Sequence, residues 1–473
     1  MPPRPNIIVL LLDTARAQNF SCYGYDRPTS PHIAAVAHEG VIYEQAIATG
    51  CWSLPSQVSL LTGMFPAKHG AHELHLSYAH HYPLLPEVLR AVGYSTLGVS
   101  TNSWMTDEFG VTHGFDHYLK LWQLWRTLPD TVSSGPRMRL AKALNRLYWR
   151  YLFPRRNSAR DLHRHIRTLL ARTPEPFFLY AVYWDMHLPY TPRSPHATRW
   201  LPSEVDARRV QQVNRNHLTY LTDQTSMSEE DFVILRALYD SALASIDEEI
   251  GTFVAALRQQ GLLDRTLLII TSDHGENIGE HGLMSHAYSL HDTLIRVPLI
   301  IRYPECFPAG QRVAPQVQLT DLFPTVLDVL QLDVPEVRQE LQGVSLLAPF
   351  ASVPEQRLAY AEMLAPHPSI VALNRRSGLP EETPHPAFDR ALRCLRTLDT
   401  KLIWASDGNH ALYDLHQDPY ETVNRFATEP ERTTTLLEIL EAWHSPNGVS
   451  LLAPTPTMNN DIRQRLRDLG YLA

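Results

Sequence analysis

Thr266-Leu267-Leu268-Ile269-Ile270-Thr271-Ser272-Asp273-His274-Gly275-Glu276 sets the reading of the whole chain. A short continuous apolar run that breaks into an acid, an imidazole, a glycine and a second acid reads as a strand buried on both faces. Its chemistry then sits at the strand's carboxyl end, where an open α/β sheet binds ligands. Oxygen and nitrogen donors meet there, and Glu280, His281, His286 and His291 come soon after. Together they offer what a divalent cation coordinates, although not all can be ligands at once.

Working outward, the same pattern recurs. Asn6 to Leu12 is a buried strand ending at Asp13, which is either a metal ligand at a strand end or the cap of a succeeding helix. Pro176 to Trp184 is another strongly apolar strand, and it runs into Asp185-Met186-His187-Leu188-Pro189-Tyr190, a loop stiffened by proline. Ser95 to Ser100, Val41 to Ala46 and Arg296 to Ile301 read as further strands. Helices are expected from Pro31 through Glu39, closed by Gly40, over Leu84–Ala91, over Leu235–Gln260, with Asp247, Glu248 and Glu249 on its wet side, and from Gln318-Leu319-Thr320-Asp321 onward with Asp or Thr as cap.

Gly50-Cys51-Trp52-Ser53-Leu54-Pro55-Ser56-Gln57 leads into an apolar segment closed by Gly63. Ser53 thus falls on a strand-to-helix turn, where unpaired N–H groups favour an anion beside a hydroxyl. Ser53 is a nucleophile candidate, and an N-cap by the alternative reading.

The 473 residues are too many for one compact core, so one large domain, residues 1–355, and a smaller one, 356–473, are expected around a break at 351–356. Net charge of −8 argues against a general nucleic-acid binder. Four scattered cysteines make neither a disulfide framework nor a thiolate metal site. The first apolar run ends at Asp13 with no cleavage site behind it, and no run approaches a membrane span. A cytoplasmic location is the expectation. Residues 122–172 form a basic helical insertion, with Arg137, Arg139, Lys142, Arg146 and Arg150 among aromatic and leucine residues. It reads as a solvated face over a packed stripe, or alternatively as a membrane-surface contact.

These strand-end residues resemble one family, the sulfatases of the alkaline-phosphatase superfamily. The resemblance is carried by Asn6 to Asp13, Ser53-Leu54-Pro55-Ser56 with Leu60-Leu61-Thr62-Gly63, His187-Leu188-Pro189-Tyr190, Ser272 to Glu276 with Gly279-Glu280-His281-Gly282 and Arg296-Val297-Pro298-Leu299, Thr320 to Thr325, and Leu412-Tyr413-Asp414-Leu415 with Asp418-Pro419. It implies an alkaline-phosphatase-like α/β sandwich with a large, mostly parallel central sheet flanked by helices and a smaller C-terminal α+β subdomain. It also implies one divalent metal ion held by Asp13, Asp273, His274 and Ser53, with Ser53, His187 and His286 catalytic. The two carboxylates and serine oxygen suit Ca²⁺ or Mg²⁺, while His274 suits Mn²⁺ or Zn²⁺. The family oxidises its nucleophile to formylglycine and places an arginine four residues on. Here Gln57 holds that place, Thr14 replaces a second aspartate, and His286 replaces a lysine.

The implied function is hydrolysis of sulfate esters. The alternatives are a phosphodiesterase, phosphomonoesterase or phosphoryl-headgroup transferase using unmodified Ser53, and a non-catalytic homologue that binds anions. The substrate expected is a small-molecule, glycan-linked or lipid-linked anionic ester.

Overall fold

The computed structural model describes residues 4–124, 158–193, 195–347, 357–371, 386–447, 458 and 460–468. Eight strands form the main sheet: β1 (Asn6–Leu12), β2 (Val41–Tyr43), β3 (Ser95–Ser100), β4 (His117–Lys120), β5 (Phe177–Tyr183), β6 (Thr266–Thr271), β7 (Leu299–Arg302) and β8 (Gln311–Val313). They lie in the order β8-β2-β7-β6-β1-β5-β3-β4. The pairs among β6, β1, β5, β3 and β4 are all parallel, and β7 alone runs against its two neighbours. Every residue of β1, β5 and β6 is buried. Continuous apolar runs are what a parallel sheet covered on both faces requires.

Helices flank this sheet in two groups. α1 (Pro31–His38) and α4 (Ser158–Leu170) pack on the long α5 (Glu229–Gln259), while α3 (Leu85–Ala91) and α6 (Leu322–Val329) pack on α2 (Ser53–Thr62). α5 starts earlier than the apolar period suggests. Ser228 Oγ accepts from the Asp231 N–H and Asp231 returns a bond to the Ser228 N–H, a reciprocal cap that satisfies two first-turn donors.

Three expectations change. Asp247 is buried rather than on the wet side, because its carboxylate accepts from the His32 and Ile33 N–H groups at 3.0 and 2.7 Å. These are orphan donors at the start of α1, so α5 caps a neighbouring helix. The strands expected over Val41–Ala46 and Arg296–Ile301 each break in two. Pro298 has no N–H to give to a ladder, so Ala46–Ile47 and Arg296–Val297 pair with one another outside the main sheet. β4 is unmarked by an apolar run, because it is an edge strand whose side chains are partly or fully exposed. The basic residues between Arg137 and Arg150, and the break at 351–356, lie outside the described residues.

A smaller antiparallel sheet comes next in the chain, of β9 (Ala359–Met363), β10 (Leu392–Arg396), β11 (Thr400–Ala405) and β12 (Ala411–Asp414), with α7 (Pro430–Asn447) packed on it. Half-buried Asp292 and three buried residues, Arg396, Lys401 and Glu421, fasten it to the main sheet's loops. Asp292 accepts from Arg396 Nη2 at 2.8 Å and Lys401 Nζ at 2.8 Å. Glu421 pairs with Lys401 at 2.8 Å and accepts from the Asp292 N–H at 2.6 Å.

Removing one member of a buried charge network leaves its partners uncompensated. Asp292→Ala is therefore expected to cost about 3–5 kcal/mol, read as a lower urea midpoint with little change in slope. A midpoint within error of the wild type would show that this network does not hold the two sheets together.

Candidate active site

β1 and β6 are adjacent and level, with Leu11 opposite Thr271, so the residues just past their ends are brought side by side. Asp13 and the pair Asp273-His274 meet there, fully buried. One donor atom from each lies within 4.8 Å of the others. Ser272 ties the two strand ends together: its Oγ accepts from the Ala15 N–H at 3.0 Å and lies 2.5 Å from the Leu12 carbonyl. Gly275 cannot carry a side chain, since a Cβ would stand 2.1 Å from the Thr293 carbonyl oxygen.

Ser53 is the first residue of α2, and Trp52, in extended conformation, takes the cap position. The N-cap alternative for Ser53 is thereby set aside. Trp52 is held by its indole N–H, which donates to Glu73 at 2.6 Å, and by edge contact with Trp104. The Ser53 hydroxyl points into the acidic cluster. Its Oγ lies 3.3 Å from His274 Nε2 and accepts from Asn102 Nδ2 at 2.9 Å. The same amide donates to Asp13 Oδ2 at 2.6 Å. Gln57, one turn on along α2, donates to Asp273 Oδ2 at 2.7 Å while its own carbonyl accepts from Tyr180 of β5 at 2.9 Å.

Two buried carboxylates this close are electrostatically unfavourable. At an effective dielectric of about 20, unit charges 4.8 Å apart repel by ~3 kcal/mol, before any loss of solvation. Burial, and then Asp273, push the Asp13 carboxyl well above the usual carboxylate range. Neutral donors from Asn102 and Gln57 offset part of this, and Asp13 Oδ1 is buried with no hydrogen-bond partner. The His274 ring completes a donor set for a cation. Its Nδ1–H donates to the Gly275 carbonyl at 2.9 Å, which leaves the Nε2 lone pair turned towards Asp13, 3.6 Å away, and Asp273, 3.7 Å away. These residues fit a divalent ion.

His187 and His286 stand beside this cluster. His187 stacks on Trp184, and its Nδ1–H donates to the Leu188 carbonyl at 2.6 Å, so a neutral ring carries its lone pair on Nε2. Burial drives His187 well below the usual histidine range. The His286 ring lies against those of His274 and His187, and its Nδ1 is 3.0 Å from Glu276 Oε1. Burial moves both partners towards neutrality, Glu276 up to about 8 and His286 down to about 4. Three residues of the sequence cluster stand elsewhere: Glu280 pairs with Arg16, and His281 stacks on His291.

Sequence reasoning misses Asn102, Tyr180 and the orienting role of Glu276. Asn102 lies just past the carboxyl end of β3, so the strand-end rule applied to Asp13 and Asp273 could have found it. Tyr180 lies inside a strand and leaves no signal.

A sulfatase family model matches residues 5–332. The N-acetylglucosamine-6-O-sulfatase of Bacteroides thetaiotaomicron is 26% identical over 507 residues, covering 93% of this chain and 86% of its own. The choline-sulfatase of Rhizobium meliloti is 22% identical, covering 89% and 82%. The phosphonate monoester hydrolase of Agrobacterium radiobacter superposes with a TM-score of 0.71 at 21% identity, over 94% of this chain and 96% of that one. A protein solved in complex with its substrate D-glucosamine-2-N,6-O-disulfate does so at 0.64 and 21%, over 94% and 98%. The two superpositions establish an alkaline-phosphatase-like fold. Among the described residues no helix is long and apolar enough to cross a membrane.

Divalent cations are expected to raise the melting temperature of the purified protein, with a stabilisation of about 2.7 kcal/mol at a hundred times Kd. Asp13→Asn and Asp273→Asn should each lose most of that rise. A melting temperature indifferent to both metal and chelator would refute the cradle, and elemental analysis identifies the ion.

Proposed function

The chain belongs to the sulfatase family, and from that premise we propose that it hydrolyses sulfate esters with the oxygen of residue 53 as nucleophile. One observation carries this reading: Asp13, Ser53, Asp273 and His274, remote in sequence, converge at a single buried point with a carboxylate oxygen left over. A decayed anion-binding site has no chemical reason to keep such a set.

In this reading Asp13, Asp273, His274 and the Ser53 oxygen hold one divalent cation. Such an ion offsets the two carboxylates and withdraws charge from an ester oxygen. The protein's own groups do the rest. Asn102 fixes the Ser53 oxygen by donating to it, which turns the hydroxyl's proton away from that amide. The first N–H groups of α2 favour the anionic ester beside Ser53. The nucleophile oxygen gives up its proton to a neutral imidazole and bonds to sulfur as the sulfur–oxygen bond to the alcohol breaks; the alcohol departs with a proton supplied by a neighbouring ring, and water-dependent cleavage in a second step frees sulfate and restores residue 53.

His286 is the better proton donor of the two histidines. With Glu276 protonated and donating to Nδ1, the ring's proton is on Nε2, and it can leave as the Glu276 proton moves onto Nδ1, so the pair gives up one proton and ends as a carboxylate beside a neutral ring. His187, its Nδ1–H committed to a carbonyl, can only accept at Nε2. The substrate is an anionic ester of a small molecule, a glycan or a lipid.

Phosphoryl transfer by an unmodified serine is the second reading, and Gln57 favours it. Both ends of that amide are engaged, with Asp273 and Tyr180, so no guanidinium stands one turn beyond residue 53. Mass analysis of the peptide spanning Ser53 separates the two: loss of two hydrogens marks the aldehyde of the sulfatase route, and an intact serine supports phosphoryl transfer.

Ser53→Ala and Asp273→Ala are each expected to lower kcat/KM on aryl sulfates and aryl phosphates by on the order of a thousandfold or more. Asn102→Ala, which removes a positioning donor, should cost about a hundredfold. Wild-type turnover in the first two variants would place the chemistry elsewhere.

A further inference from the structure

The chain leaves β1 through a turn that one of its own residues resists. The Ala15 N–H donates to the Leu12 carbonyl at 3.1 Å, so Leu12 to Ala15 is a hydrogen-bonded turn with Asp13 second and Thr14 third. Thr14 has a φ of +64°, in the left-handed region. Glycine and asparagine enter that region readily, whereas a β-branched side chain is crowded there by its own backbone. Among the described residues Thr14 is the only β-branched one with such a φ. Its hydroxyl, buried with no hydrogen-bond partner, does nothing to hold the turn.

The turn is held from outside. Tyr239, buried on α5, sets its hydroxyl between Thr14 and Arg16, donating to the Thr14 carbonyl at 2.8 Å and accepting from the Arg16 N–H at 2.9 Å. Burial raises the phenol above its ordinary range, so the proton needed for the first bond stays in place. The other end of the same peptide unit is also fixed, since the Ala15 N–H lies 3.0 Å from Ser272 Oγ. The peptide between residues 14 and 15 is thus pinned at its oxygen by α5 and at its nitrogen by the end of β6. The Tyr239 ring meets Tyr190 edge-on, centroids 5.3 Å apart, so its packing does not depend on the hydroxyl.

Asp13 stands on this turn. Its own N–H donates to the Tyr183 carbonyl at 3.0 Å, which anchors it to the sheet on one side, and Thr14 sets the direction of the chain on the other. Relaxation of Thr14 to a negative φ would open the turn. Repulsion between Asp13 and Asp273 favours any movement that separates them, so strain and charge act in the same sense against the clamp.

We propose that Tyr239 is a positioning residue for the cation cradle: its hydroxyl holds Thr14 in the left-handed turn and so keeps Asp13 level with Asp273 and His274. This rests on the reading of those three residues as a divalent-ion site. A glycine at position 14 would adopt the turn without help, so the hydroxyl of Tyr239 should matter with threonine there and cease to matter with glycine.

The test is calorimetric titration of the chelator-treated full chain with Ca²⁺, Mg²⁺, Mn²⁺ and Zn²⁺, each alone; the ion the wild type binds most tightly is carried forward to the variants. The fitted Kd describes folded protein and is insensitive to the fraction folded. Tyr239→Phe, which keeps the ring against Tyr190, should weaken that ion at least about tenfold, the scale of losses when a ligand's supporting partner is removed. Thr14→Gly alone should bind within about threefold of the wild type, and adding Tyr239→Phe to it should cost less than about threefold. A Kd in Tyr239→Phe within about twofold of the wild type overturns the clamp, as does an equal loss from Tyr239→Phe in both backgrounds, where the hydroxyl would act other than through Thr14. Wild-type protein that binds none of the four ions refutes the cradle and the clamp together.

Discussion

Two buried carboxylates, Asp13 and Asp273, are forced together by the register of neighbouring parallel strands, and much of the site is a response to that repulsion. β1 and β6 are level, so neither acid can retreat along its strand. Each is met by one neutral amide, Asn102 for Asp13 and Gln57 for Asp273. A hydrogen bond to a charged group contributes about 1.5–3 kcal/mol, comparable with the ~3 kcal/mol repulsion but not with the added cost of burial. The remainder is what a cation would offset, and the Nε2 of His274 is turned towards both carboxylates.

The same balance explains the departures from the family pattern. Gln57, Thr14 and His286 stand where the resemblance leads one to expect arginine, aspartate and lysine. One anionic ligand and two cations are exchanged for neutral groups, so the site is less charged in both directions. Neutral histidines then line it: His187, His274, His286, His217 and His367 are all shifted by burial towards the unprotonated ring. In such surroundings tautomers rather than charges do the work, and each is set by a specific partner such as the carbonyls of Leu188 and Gly275.

The smaller sheet matters to the site as well as to stability. Its fastening runs through Asp292, which is close in sequence to His286 and Tyr288, and the segment after β9 carries His367 and Ser369 to the edge of the nucleophile turn.

Much of the fold was legible because buried parallel strands must be continuously apolar: Asn6–Leu12, Phe177–Tyr183 and Thr266–Thr271 announce themselves, and with them the acids at their ends. The candidate residues Asp13, Ser53, His187, Asp273, His274 and His286 are picked out by that rule and by the resemblance. Tertiary structure alone decided which of the histidines beyond His274 stayed, sending His281 and His291 to a stack of their own, and why Asp247 lies buried, since an orphan helix start from elsewhere in the chain needed it. It also decided that Ser53, Asn102 and Asp13 share one amide's protons and that Gln57 turns its donor to Asp273. Periodicity records which face a residue buries; hydrogen-bond direction depends on partners brought from distant parts of the chain, and no local pattern encodes them.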